Sequence, residues 1–150
     1  MVPGGGSMLV SLLDVARVAL MLAIAVHDAR TRTLPNGLAI AFGIVCAVCG
    51  IVRGGLSIFE NLLRAAIVCG LLVALELFWR SRNGGSAGLG MGDIKYLFCL
   101  MLTDPALGVV SFMAGLLLLA LAGTLFKKKS LPLLPFTVGA CLALMLLGSL

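Results

Sequence analysis

The amino-acid sequence predicts an all-α membrane protein, a polytopic bundle of about six transmembrane helices. Of the 150 residues, 61% are hydrophobic and only 11% are charged, which is more apolar surface than a soluble domain of this size can bury. The apolar runs are also far longer than the roughly ten residues of a barrel strand. Because backbone groups in hydrocarbon need internal partners, the spanning elements should be helices.

Charged and Gly/Pro-rich stretches divide the chain into candidate helices joined by short loops. The expected ranges are 9–27, 38–52, 58–79, 91–103, 106–126 and 132–150. With no long polar stretch and no internal repeat, residues 8–150 should form one domain. Residues 1–7 show neither a hydrophobic nor a helical pattern and resemble a vector-derived cloning sequence, so we expect them to lie outside the fold.

The net charge of +5 indicates membrane orientation rather than nucleic-acid binding, because the basic residues lie mainly in short loops between apolar runs. The first, third and fifth loops contain most of them: Arg30, Arg32, Arg80, Arg82, Lys127, Lys128 and Lys129. The second loop has only Arg53 and the fourth has none. The positive-inside rule therefore predicts that these three loops are cytoplasmic and that both termini lie outside.

The fourth segment is short for a membrane span. As a helix, residues 91–103 would rise only about 20 Å, against a hydrocarbon core about 30 Å thick. The segment could re-enter the membrane, but Lys127–Lys129 would then move outside, so we favour a short crossing in a locally thin region. Asp104 and Pro105 fit the N-cap and the first position of the next helix.

Several ionisable residues have a structural explanation in same-face ion pairs. Spacings of three or four residues relate Asp14 to Arg17, Glu60 to Arg64, and Glu76 to Arg80. The five cysteines all lie within apolar segments, where Cys behaves as a small hydrophobe, so we expect no disulfide framework. One C-x-x-C is present, but it lacks the second pair or nearby His of a structural zinc site.

Asp28 and Asp93 are harder to explain structurally. Asp28 ends the first helix in H-D-A-R-T-R-T-L-P-N-G, where Pro35 stops the helix and Asn36 can cap the next one. The structural alternative is a pair with Arg32 or simple solvation. Asp93 follows a glycine-rich loop in G-L-G-M-G-D-I-K, which allows close backbone approach, although an acidic residue there could also be an ordinary helix cap.

The predicted topology places both aspartates at the same depth, near the cytoplasmic face of the membrane, so the two carboxylates could meet. A close pair shares a proton, and one member can then activate water while the protonated member polarises a peptide carbonyl. This is aspartyl protease chemistry. The only histidine, His27, should point away from its neighbour Asp28, so no Ser/His/Asp set competes. The glycine-rich loop lacks the G-K-S/T of a Walker A motif and the βαβ context of a dinucleotide fingerprint.

Two stretches resemble a known family. D-A-R-T-R-T-L-P-N, residues 28–36, and G-M-G-D-I-K, residues 90–95, are similar to the two aspartate motifs of type IV prepilin peptidases, which are G-x-G-D intramembrane aspartyl peptidases. With the helix order, the resemblance covers nearly the whole chain. It implies that Asp28 and Asp93 are the catalytic pair and that no metal or other cofactor is used. It also implies a prepilin-like precursor as substrate, with its basic leader in the cytoplasm and its apolar helix in the bilayer.

The resemblance also implies that Gly90 and Gly92 shape the second aspartate motif, while Pro35 and Asn36 shape the first. Lys95 could be an electrostatic helper or a snorkelling interfacial cation, and we favour the latter. Long bacterial members carry an insert with tandem C-x-x-C pairs and methylate the new N-terminus. This chain lacks that insert, so we expect peptidase activity alone. The expected partners are the precursor and the bilayer, not nucleic acid, and the sequence predicts no oligomeric state.

The main alternative is a small transporter or assembly component that uses Asp28 and Asp93 for cation or proton handling. Such a protein should contain a broken helix pair with inverted symmetry, which the six segments do not show. A purely structural subunit would leave the paired motifs unexplained. Signal-peptide-peptidase and presenilin-like enzymes share G-x-G-D, but their first aspartate typically follows Tyr, whereas here it follows His27.

The predicted orientation can be tested with single cysteines introduced as Asp104→Cys and Lys128→Cys. A membrane-impermeant thiol reagent should label the first from outside and the second only after the membrane is opened, because the two loops lie on opposite sides. Labelling of both positions from the same side would contradict a bundle with six crossings.

Overall fold

The computed structural model describes residues 5–84, 89–126 and 132–148. Within these ranges the chain forms six α-helices and no strand. They are α1 (Gly5–Thr31), α2 (Asn36–Gly54), α3 (Ser57–Arg82), α4 (Met91–Thr103), α5 (Pro105–Phe126) and α6 (Leu134–Gly148). Four of them, α1, α2, α3 and α5, are long and apolar enough to cross a membrane. The predicted all-α membrane fold is confirmed.

The first helix begins earlier than expected. It starts at Gly5, inside the segment 1–7 that showed no helical pattern. A helix that has already formed extends readily, because each further residue adds one backbone hydrogen bond without a new nucleation step. The assignment of residues 1–7 to a cloning sequence, and of residues 8–150 to one domain, stays a prediction.

The short helix α4 lies in the middle of the bundle, where it packs against α2, α3 and α5. One side of α4 joins α1, α2 and α6 in a hydrophobic cluster, in which the Tyr96 ring stacks on Phe42 with the centroids 5.3 Å apart. Another side, including Ile94 and Leu97, joins α3 and α5 in a second cluster around Phe112. Because both clusters share α4, this helix is held in position by all five of the other helices.

The end of α4 is hydrogen-bonded to both α2 and α3. Thr103 donates from Oγ1 to the carbonyl oxygen of Cys46 at 3.0 Å, and Asn61 donates from Nδ2 to the carbonyl oxygen of Leu102 at 3.3 Å. The last carbonyls of a helix have no partner within it, and in a membrane they need one from the protein. Asn61 supplies such a partner to Leu102, while the Thr103 hydroxyl ties the end of this helix of 13 residues to α2. Whether residues 91–103 cross the whole bilayer stays a prediction.

All three predicted same-helix ion pairs form. The oxygen-to-nitrogen distance is 3.2 Å in the pairs Asp14–Arg17 and Glu60–Arg64, and 2.7 Å in Glu76–Arg80. Asp14 also binds Arg53 in the last turn of α2. This contact between α1 and α2 was not predicted.

The other local expectations can be checked in the same way. Asp104 caps α5 as expected, since its Oδ1 accepts the Leu107 N–H at 3.0 Å. All five cysteines are buried with free thiols. The Lys127–Lys129 cluster lies outside the described residues.

Candidate active site

Asp28 lies in the last turn of α1, where the chain reverses into α2. The Arg32 N–H donates to the Asp28 carbonyl oxygen at 2.8 Å, and Arg32 itself adopts φ 53°, in the left-handed region that commonly ends a helix. Pro35, with φ −66° and ψ 138°, then serves as the N-cap of α2. Residues 32–35 therefore form a tight turn directly after Asp28. We call these four residues the α1–α2 turn.

The side chain of Asp28 is buried, with 7% of the residue exposed. Its carboxylate accepts a hydrogen bond from the backbone N–H of Leu134, the first residue of α6. The first N–H groups of a helix have no partner within it and favour a negative charge. The start of α6 thus holds Asp28 in place, although these residues are far apart in the sequence.

His27 is engaged with the same turn. Its Nδ1 lies 2.9 Å from the Thr33 carbonyl oxygen and 2.9 Å from Thr31 Oγ1, and the Thr31 hydroxyl also donates to the His27 carbonyl oxygen. The imidazole therefore supports the end of α1 by bonding to the α1–α2 turn. The expectation that no Ser/His/Asp set competes with the two aspartates stays a prediction.

Asp93 occupies the first turn of α4, and its geometry depends on Gly90. Gly90 is the N-cap of α4, and its N–H donates to the Asp93 carboxylate, while the Asp93 N–H donates to the Gly90 carbonyl oxygen at 3.0 Å. Asp93 is the third residue of the helix, and a carboxylate at this position commonly caps a helix by accepting the N–H of the N-cap residue. A Cβ on residue 90 would lie 2.6 Å from Asp93 Oδ2, so a side chain there would displace the carboxylate.

The two aspartates come together at one end of the bundle. The carboxyl group of Asp93 is close enough to Asp28 for the two charges to interact electrostatically. Gly92 rests on the α1–α2 turn, because a Cβ on residue 92 would lie 3.1 Å from the Cβ of Leu34. In partly buried surroundings two neighbouring carboxylates cannot both carry a charge easily, so such a pair can hold one proton between them.

A side-chain hydrogen bond joins the two sequence motifs directly. Lys95 donates from Nζ to Oδ1 of Asn36 at 2.9 Å. The prediction that Asn36 caps α2 is wrong. Because Pro35 takes the N-cap position, Asn36 is already the first helical residue, and its side-chain oxygen accepts from Lys95 instead. Lys95 is exposed, and the contact adds a link between α2 and α4 that neither expected role for this lysine included.

Glu76, near the end of α3, provides a further contact that was not predicted. Its Oε1 accepts from Nε of Arg80 at 2.7 Å, which is the expected ion pair. Its Oε2 accepts the backbone N–H of Leu89 at 2.7 Å, one residue before Gly90. The spacing of Glu76 and Arg80 revealed the ion pair, but no local pattern indicates the contact with Leu89.

A largely apolar groove of about 580 Å³ opens between α2 and α3, with α4 as its floor. Lys95 and Asn36 lie at the end of the groove nearest the α1–α2 turn. Its other walls include Ala39, Ile40, Gly43, Val73, Met91 and Phe98. Met91 and Ile94, which lie on either side of Asp93 in the first turn of α4, thus belong to an apolar surface that could receive a hydrophobic chain. The described residues contain no group of three His, Cys, Asp or Glu side chains that could hold a metal ion.

Comparison with known proteins gives one finding. A family model described as the type IV leader peptidase family matches residues 15–149, a range that includes both aspartates and all six helices in whole or in large part. No curated protein and no solved structure matches the chain significantly.

The contact between the α1–α2 turn and the start of α4 can be tested by crosslinking. In the double variant Leu34→Cys/Gly92→Cys, the two Cβ atoms would be 3.1 Å apart on the present backbone, so a small outward shift of the first turn of α4 brings them into the range that a disulfide spans, about 3.5 to 4.5 Å. Mild oxidation should therefore form this disulfide in most molecules, as measured by mass spectrometry after thiol alkylation. The pair Leu34→Cys/Gly70→Cys, with Gly70 in the middle of α3, is the control and should stay reduced. Failure of the first pair to crosslink would contradict the geometry of the site.

Proposed function

Because the chain belongs to the type IV leader peptidase family, we propose that it is an intramembrane aspartyl endopeptidase that removes the leader peptide from prepilin-like precursors. The observation that supports this most strongly is the approach of Asp28 and Asp93 within the range that the family model matches. The two carboxylates belong to different helices and to motifs more than sixty residues apart, and the fold places them at the same end of the bundle.

The proposed reaction uses the pair as acid and base. The ionised carboxylate takes a proton from water, and the water oxygen attacks the carbonyl carbon of the scissile peptide bond. The protonated carboxyl donates a hydrogen bond to the carbonyl oxygen and stabilises the tetrahedral intermediate. The intermediate then collapses as its C–N bond breaks and a proton passes to the leaving amine. A new carboxylate and amine are formed, and the pair returns to its singly protonated state.

The backbone contacts prepare this pair for catalysis. Leu134 donates to Asp28 and Gly90 donates to Asp93, so each carboxylate is oriented by a main-chain N–H instead of a mobile side chain. Fixed groups of this kind lose little freedom when substrate binds, and small errors in the placement of an acid or a base are costly for the rate. In this proposal, Gly90 and Gly92 shape the site because a side chain at either position would disturb these contacts.

The proposed active site faces the cytoplasm. Arg30 and Arg32 follow Asp28 closely, and Arg80 and Arg82 lie near the end of α3 on the same side of the bundle. The positive-inside rule places such residues in the cytoplasm. A precursor with a basic leader in the cytoplasm and an apolar helix in the bilayer would then present its cleavage site at the depth of the two aspartates.

The groove between α2 and α3 supports a route for the precursor. Its apolar walls match the apolar helix of the substrate, and the groove reaches the first turn of α4 through Met91 and Lys95. A substrate helix lying against Gly43 and Ala39 could direct its preceding residues toward Asp93 without crossing the core. We propose no methyl transfer, since the cytoplasmic insert of the long, methylating members has no counterpart in the sequence.

Replacement of either aspartate should abolish cleavage. Asp28→Asn and Asp93→Asn should each lower the rate by at least about 10²-fold, because one carboxyl group cannot act as both acid and base. The measurement is cleavage of a purified prepilin precursor in detergent or liposomes, with the cut located by mass spectrometry. Asp104→Asn is the matched control, since Asn caps a helix as well as Asp does. It should cleave like the wild type.

The comparison requires that all variants elute as monodisperse species from size-exclusion chromatography. Substantial turnover by a folded Asp28→Asn or Asp93→Asn variant would contradict the assignment of the pair.

A further inference from the structure

We propose that Glu76 is a positioning residue for Asp93. Glu76 acts on Asp93 indirectly, by holding the backbone N–H of Leu89. This inference rests on the proposed peptidase function and adds a residue that lies outside both aspartate motifs. Glu76 belongs to α3, whereas Asp28 and Asp93 belong to α1 and α4, so the proposal brings a third helix into the control of the site.

The burial of Glu76 requires an explanation beyond its ion pair. Only 4% of this residue is exposed, and a carboxylate is expensive to bury unless it is paired and hydrogen-bonded. The same helix contains a second ion pair with the same spacing, Glu60–Arg64, whose side chains are 69% and 60% exposed. An ion pair at this spacing therefore does not need burial. What distinguishes Glu76 is the second oxygen, which accepts the Leu89 N–H at 2.7 Å.

Leu89 connects this contact to the catalytic carboxylate over a very short path. Its side chain packs against the cluster of α3, α4 and α5, and its N–H is held by Glu76. The next residue, Gly90, donates its N–H to the Asp93 carboxylate. A rotation of the Leu89 backbone would therefore redirect the Gly90 N–H and release Asp93. With no Cβ of its own, Gly90 offers little resistance to such a rotation, so the external contact from Glu76 is needed.

Two conservative substitutions separate positioning from a plain structural ion pair. Glu76→Gln keeps the side-chain length and an oxygen that can accept the Leu89 N–H, but loses the charge. Glu76→Asp keeps the charge for Arg80 but is one methylene shorter and cannot reach Leu89. If Glu76 acts through Leu89, the Gln variant should be the more active of the two. If its role is the ion pair with Arg80, the Asp variant should be the more active.

The experiment measures kcat and KM for a prepilin precursor, together with hydrogen exchange of the segment Leu89–Asp93 by mass spectrometry. Glu76→Asp should lower kcat by at least about tenfold, since small displacements of a catalytic group are costly for the rate, while KM changes by less than about twofold. Exchange in the segment should rise. Glu76→Gln should recover most of kcat and keep the wild-type exchange. Glu60→Asp and Glu60→Gln are the matched controls and should change neither quantity.

The exchange measurement needs no catalysis, so it separates the two proposals. If the wild type cleaves no precursor, the proposed function fails, and the exchange of Leu89–Asp93 in the variants still decides whether Glu76 holds this segment. If the wild type cleaves and Glu76→Asp retains its kcat or leaves the exchange unchanged, the positioning role of Glu76 is wrong. The same conclusion follows if Glu76→Gln is the more impaired variant.

Discussion

The contact between Gly92 and Leu34 is the constraint on which the rest of the site depends. The absence of a side chain at residue 92 lets the start of α4 approach the α1–α2 turn this closely, since a Cβ there would be 3.1 Å from that of Leu34. This approach brings Asp93 to Asp28, and it lets Lys95 reach Asn36 at 2.9 Å. In this chain the two carboxylates come from the end of one helix and the start of another, so their approach depends on how those two helix ends pack.

The short helix α4 carries Asp93 in its first turn. Asp93 is half-buried there and lies near the buried Asp28. The bundle surrounds this helix of 13 residues with the other five helices, and Asn61 of α3 donates to one of its last carbonyls, that of Leu102. The core therefore supports the candidate site directly, since the two clusters that hold α4 position the helix that carries Asp93.

Much of this arrangement could be predicted because it depends on local patterns. Apolar runs interrupted by Gly, Pro and charged residues indicated all six helices, and spacings of three or four residues indicated three ion pairs. The cap at Asp104 was also a local pattern. The wrong assignment of Asn36 has a local cause as well, since a helix that begins two residues early turns a capping side chain into one that can bind Lys95.

The contacts that hold the site could not be predicted, since each joins segments whose approach depends on the whole bundle. The N–H of Leu134 on Asp28, the contact of Glu76 with Leu89, and the Asp14–Arg53 pair leave no signal in the spacing of residues. The approach of the two aspartates could be predicted without any knowledge of contacts, because the basic residues alone indicate a topology that puts both at one side of the membrane. Their catalytic role is a proposal that the geometry supports.

The most direct test of this account is the pH profile of kcat/KM for a precursor without titratable side chains next to the cleaved bond. If the two carboxylates share one proton in the active state, the profile should be bell-shaped, falling at low pH where both are protonated and at high pH where both are ionised. A profile with a single ionisation that rises to a plateau, as expected for one carboxylate acting alone, would contradict the account.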